Sequence, residues 1–94
     1  MPFQFEWDPA KATANFAKHG VTFEEARDAF DDPLSRTIDD PAHSLDESRL
    51  WTMGLSRTGR LLVVIHVDRG ANIRIIGARC ATRRERQDYE EDPT

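Results

Sequence analysis

The sequence predicts an α+β fold of two layers: two N-terminal helices on one face of a small twisted antiparallel sheet, followed by a short C-terminal helix. Three observations predict it. Helical spacing with cap signals at both ends fills the first third of the chain, apolar or alternating runs separated by tight turns fill residues 49–79, and a capping box stands at 82–85. Helices on one side only leave part of the opposite sheet face open, and that face is where a ligand or partner is expected.

Phe3, Phe5 and Trp7 alternate with Gln4 and Glu6, a short strand with one face on the core. Asp8 can cap free amides, Pro9 sits where its missing N–H costs nothing, and Gly20 stops the run after Lys18 and His19, so the first helix covers 9–19. Its inward stripe is Ala12 and Phe16, with His19 one turn further along nearly the same line. Thr22-Phe23-Glu24-Glu25 is a capping box, and Phe23, Ala26, Ala29 and Phe30 recur at helical spacing until Asp31-Asp32-Pro33 ends the second helix.

Residues 34–38 read as a short strand and 39–44 as a turn-rich acidic loop in which His43 is solvated. Residues 49–55 form a strand, 56–60 a glycine-containing turn, and 61–67 a strand apolar on both faces, hence central. Asp68-Arg69-Gly70-Ala71 turns the chain into a strand at 72–79, so the last three strands make an antiparallel meander. Thr82-Arg83-Arg84-Glu85 opens the final helix, which ends near Tyr89 to Glu91. Without repeats or an internal linker, residues 1–94 read as a single domain.

With 94 residues, 38% of them hydrophobic, the chain can build one modest core. No basic stretch leads into an apolar run at the N-terminus, and the longest apolar run, 61–65, is far short of a membrane span, so a cytoplasmic protein is expected. The one cysteine, Cys80, has no partner for an internal disulfide and reads as a half-buried filler in a reducing compartment.

Charge is unevenly placed. Residues 1–50 carry 5 basic and 11 acidic side chains and residues 51–94 carry 8 and 6, so the halves net −6 and +2. Residues 57–86 hold eight arginines and no lysine, against only Asp68 and Glu85. The planar arginine fork suits bidentate contact with phosphate or carboxylate, so a phosphate-bearing or acidic partner is expected.

Several chemistries are poorly supported. No strand-turn-helix nucleophile motif places a hydroxyl or thiol beside a base, no glycine-rich phosphate loop is present, and His19, His43 and His66 are too scattered to argue for zinc. No metal or cofactor is expected. Arginine with histidine on and beside a sheet is adequate chemistry for RNA, whose 2′-hydroxyl is an internal nucleophile. The candidate catalytic residues are Arg79, His19, His66 and Arg49, and the candidate RNA-binding residues are Lys18, Arg74, Arg83 and Tyr89.

Each has a plainer alternative. His66 ends the central strand either as a hydrogen-bonded core histidine or as a group facing a functional surface. Lys18 and His19 equally complement the dipole of the first helix. Arg74 and Arg79 are an odd number of residues apart and should leave their strand on opposite faces. Arg79, beside Arg83, is then the better cleft residue, or else it forms a salt bridge to Glu47 or Glu85. Tyr89 can simply pack against the sheet.

Phe5-Glu6-Trp7-Asp8, Lys18-His19-Gly20, Phe23-Glu24-Glu25-Ala26, Phe30-Asp31-Asp32-Pro33 and Arg74-Ile75-Ile76-Gly77-Ala78-Arg79 together resemble the BrnT toxin family, over nearly the whole chain. Glu47 with Arg49, Gly54, His66, Ala81-Thr82, Glu85-Arg86 and Tyr89 extend the resemblance. It implies a RelE-like fold and a type II toxin: a ribonuclease that halts translation, bound tightly by a BrnA-type antitoxin, with operator DNA contacted only through that antitoxin. Gly77 and Cys80 stand where the family pattern often carries serine and arginine, which implies one basic contact fewer. The rival reading is a non-enzymatic module that docks an acidic protein or nucleic acid, although a pI near 5.3 argues against broad nucleic-acid affinity.

Overall fold

The computed structural model describes residues 4–40 and 48–91. Along the chain come β1 (Gln4–Glu6), α1 (Pro9–His19), α2 (Phe23–Asp28), a 3-10 turn (Ala29–Asp31), β2 (Arg36–Asp39), β3 (Arg49–Leu55), β4 (Leu61–Arg69), β5 (Asn72–Cys80) and α3 (Arg83–Glu91). The strands form one sheet in the order β1-β5-β4-β3-β2, which makes β4 central.

The sheet is mixed, which corrects the expectation of an antiparallel one. β2 to β5 form an antiparallel meander, but β1 runs parallel to β5 with Phe5 opposite Ile73. Tight turns impose antiparallel pairing on consecutive strands. β1 is released from that constraint because two helices intervene before β2. His43 and Glu47 lie outside the described residues.

α1 begins as its sequence predicts: the Asp8 carboxylate accepts from the Ala10 amide at 2.9 Å, and Gly20, at φ +70°, ends it with its amide donating to the Phe16 carbonyl. Its inward stripe differs. Ala12 packs on the core, but Phe16 is 54% exposed and Asn15 is the residue that engages the sheet. Beyond the end of β1 the outer edge of β5 is open. Asn15 closes it, donating to the Ala78 carbonyl at 2.8 Å and accepting from the Ala78 amide at 3.1 Å, with a further donation to the Val21 carbonyl. A polar residue mid-helix therefore substitutes for a missing strand neighbour.

The predicted second helix is shorter than its apolar spacing suggested. It stops at Asp28 and tightens into the 3-10 turn, whose Ala29 lies directly against β3. A Cβ on Gly54 would stand 2.3 Å from the Ala29 carbonyl oxygen, so glycine is required there. The strand expected at 34–38 begins two residues later. Asp32 accepts from the Leu34 amide and its carbonyl from the Ser35 amide, and this turn consumes both residues.

The core lies between the helices and one sheet face: Val21, Phe23, Ala26, Ala29, Leu62, Val64, Ile75 and Ala78, rimmed by Phe5, Trp7 and Phe30. Leu61 and Val63 are buried on the other face, so β4 is covered on both sides as expected of the central strand. Cys80 is exposed at the end of β5, not half-buried.

Candidate functional site

A bulge in β5 decides where the arginines point. Ile65 pairs with Gly77 while His66 pairs with Ile75, so Ile76 is an extra residue and the alternation shifts by one. Arg79 lies opposite Val63 and Arg74 opposite Val67, on one face of the sheet. The expectation that they diverge is corrected by that single inserted residue.

The register assembles the face away from α1 and α2. One row runs Arg49, Val67, Arg74, Glu6; the next runs Ile38, Trp51, Ile65, Gly77; the third runs Arg36, Met53, Val63, Arg79. Four arginines thus surround Trp51, and the outer rows stand about 13 Å apart along the strands. Arg74 donates to Glu6 at 3.1 Å across the β1–β5 pair.

α3 crosses the third row. The two terminal nitrogens of Arg79 donate to the two carboxylate oxygens of Glu85 at 2.8 and 3.0 Å, and its guanidinium carbon sits 5.3 Å from the Trp51 ring centre. The Thr82–Glu85 capping box is complete, with the Glu85 amide donating to the Thr82 hydroxyl and the Thr82 amide donating to the Glu85 carboxylate. The Arg79 guanidinium, ahead of the cap, holds the Glu85 carboxyl down at about 2. Further along, Arg36 donates to the Asp88 carbonyl at 2.7 Å, and the Tyr89 hydroxyl donates to Asp32 at 2.5 Å. Burial and then the Asp32 carboxylate push Tyr89 up to about 12, so it remains a donor. Burial works to raise the Asp32 carboxyl but is outweighed by hydrogen bonds from Tyr89, Leu34 and Leu55, which leave it lowered. Beneath α3 lies a cleft of about 290 Å³ lined by Arg36, Ile38, Trp51, Met53, Val63, Glu85 and Asp88. The Trp51 indole N–H is buried and has no hydrogen-bond partner among the described residues.

The structure brings together Arg49, Arg74 and Arg79 of the predicted residues, with Tyr89 bracing the helix beside them. Arg83 is exposed at the start of α3. Lys18 and His19 are exposed in the last turn of α1, on the helix-packed side. His66 also faces that side and is 2% exposed beneath Phe30, with ring centres 4.9 Å apart. The His66 Nδ1 donates to Asp68 at 2.8 Å, and its Nε2 accepts from the Thr52 hydroxyl at 2.8 Å, which in turn meets the Thr37 hydroxyl at 2.7 Å. A carboxylate can only accept, so this neutral tautomer follows. Burial holds the imidazole below its usual value despite Asp68. Of the two readings of His66, its position is that of the hydrogen-bonded core residue.

Two members of the arginine face were not found from sequence. Trp51 is two residues from Arg49 on one strand, so strand alternation alone could have placed it. Arg36 could not be placed without the register of β2 against β3. The capping box at 22–25 is only half formed: the Glu25 amide donates to Thr22 as expected, but the Glu25 carboxylate turns away to Arg60, Ser56 and Thr58.

A family model described as the ribonuclease toxin BrnT of type II toxin-antitoxin systems matches residues 7–85. Among solved structures, the fold matches the 1.1 Å crystal structure of the Brucella abortus ribonuclease toxin BrnT, with a TM-score of 0.68 and 22% identity over 87% of this chain and 100% of that one. No curated protein matches. The family match runs from Trp7 through Glu85 and so spans the core, the bulge and the Arg79–Glu85 pair. The chain belongs to the BrnT family of ribonuclease toxins of type II toxin-antitoxin systems.

Proposed function

We propose that this protein is a metal-independent endoribonuclease of the cytoplasm that halts translation, binds its RNA across the arginine face, and is neutralised by a BrnA-type antitoxin. The observation that carries this reading is one sheet face presenting Arg36, Arg49, Arg74 and Arg79 around Trp51. Arginines neutralise phosphates and an indole offers a stacking surface to an unpaired base.

In the reaction, the 2′-oxygen attacks the adjacent phosphorus as its proton leaves, and the bond to the 5′-oxygen breaks with that oxygen taking up a proton. The products are a 2′,3′-cyclic phosphate and a 5′-hydroxyl. Arg79 stabilises charge developing on the phosphoryl oxygens, and Arg49 and Arg74 hold the flanking strand. Charge stabilisation and alignment are what the arginines of this face supply to the reaction. Operator DNA is contacted through the antitoxin, as the net charge of −4 suits a protein whose cationic surface is local.

The test is incubation of the purified protein with a mixed cellular RNA in the presence of EDTA and, separately and without EDTA, with a translating extract, and reading the fragment ends. The expected result is cleavage with 2′,3′-cyclic phosphate ends. Intact RNA in both samples, or fragments ending in a 3′-hydroxyl, would contradict the proposal.

A further inference from the structure

The third row of the arginine face is already occupied. Glu85 offers Arg79 two oxygens in the fork geometry that a phosphodiester offers with its two non-bridging oxygens. Trp51 lies beside the guanidinium, 5.3 Å from its carbon to the ring centre, and the two terminal nitrogens are aimed together at one two-oxygen anion. The element that brings Glu85 there is weakly rooted. α3 has no buried residue, and among the described residues its polar contacts to the rest of the chain include Glu85 to Arg79, the Asp88 carbonyl to Arg36, and Tyr89 to Asp32. Two of these contacts use arginines of the RNA face itself.

Building on the ribonuclease reading, we propose that the Arg79 fork is a phosphate subsite and that Glu85 is an internal stand-in for phosphate, which substrate RNA must displace to bind. The occupant is a single-stranded polyanion and not a small phosphate. A tethered carboxylate competes at high effective concentration, and a lone anion gains too little to replace it. A strand that also engages Arg49 and Arg74, about 13 Å away, gains several contacts for the one it disrupts. Acid does not open the site in the cell, since the Glu85 carboxyl titrates only near 2. Displacing Glu85 also frees α3 from Arg79 and widens the cleft over Trp51.

The test is the affinity of the full chain for a short 2′-O-methyl RNA, which cannot be cleaved. Glu85→Gln should bind about tenfold more tightly than the natural protein, because the open state no longer has to be bought from the ion pair. Glu90→Gln makes the same change of charge on α3 away from Arg79, pairing instead with Arg86, and should shift affinity less than about twofold. Glu85→Asp keeps the charge but shortens the reach, and should bind more tightly than the natural protein even if the amide variant loses helix by circular dichroism. Equal or weaker binding by both folded Glu85 variants would overturn the proposal, as would an equal gain in Glu90→Gln. Those outcomes leave the ribonuclease reading intact, which stands or falls separately on cleavage by the natural protein.

Discussion

Glu25 and Glu85 occupy the same position in two capping boxes, and each holds an arginine, yet the two pairs do opposite work. Glu25 sits at the junction of α2 with the β3–β4 turn. Arg60 grips it through Nε and Nη2 while Ser56 and Thr58 donate their hydroxyls, and Arg60 also reaches the Gly20 carbonyl at 3.1 Å. The pair ties helices to sheet. Glu85 instead meets Arg79 at the rim of an apolar cleft, on a helix with no buried residue. The same ion pair is a structural knot when further hydroxyls grip the carboxylate on a helix that carries core residues, and an exchangeable latch when it stands on a helix that carries none.

Arg79→Ala should break the contrast most sharply, lowering RNA cleavage at least about 100-fold while circular dichroism stays unchanged. Continued cleavage would remove Arg79 from the site. Glu25→Gln should act on the other side of the comparison, costing about 3 kcal/mol in urea unfolding, because it weakens charge-assisted bonds to three partners at once. A stability matching the natural protein would show that the junction is not a knot.

Acid sharpens the comparison further. Both carboxyls fall from their usual 4.5 to about 2, the first cause in each case being the arginine partner. Between those values the unfolded chain binds more protons than the native one, so stability is fully present above about pH 5 and is lost as pH falls towards 2. Glu25→Gln should remove part of that slope. Glu85→Gln should have the smallest effect on stability, below about 1 kcal/mol, since its helix carries no buried residue and can come away without opening the core. A larger loss would mean that α3 is integral to the fold.

Much of the fold was legible because local chemistry wrote it. Asp8 with Pro9 and Gly20 bounded α1, and the turns at 56–60 and 68–71 framed the meander. The parallel β1–β5 pairing was not legible, because no turn connects those strands and only tertiary contact sets their direction. The site was half legible. An excess of arginine without lysine marked the right half of the chain, but the bulge at Ile76 reversed the parity argument for Arg74, and Gly77 beside it is the one local sign that the alternation breaks there. Glu85 was foreseen as a plain partner of Arg79; that the partner occupies a fork fitted to phosphate needed the geometry of Trp51 and α3.

The central claim is that RNA lies on the arginine face. It is tested most directly by NMR titration of the protein with the same 2′-O-methyl RNA, following the Trp indole and arginine Nε resonances. The account predicts shifts at Trp51, Arg79 and Arg36 together with loss of the α3 contacts. Shifts confined to the end of α1 around Lys18 and His19, with Trp51 unmoved, would contradict it.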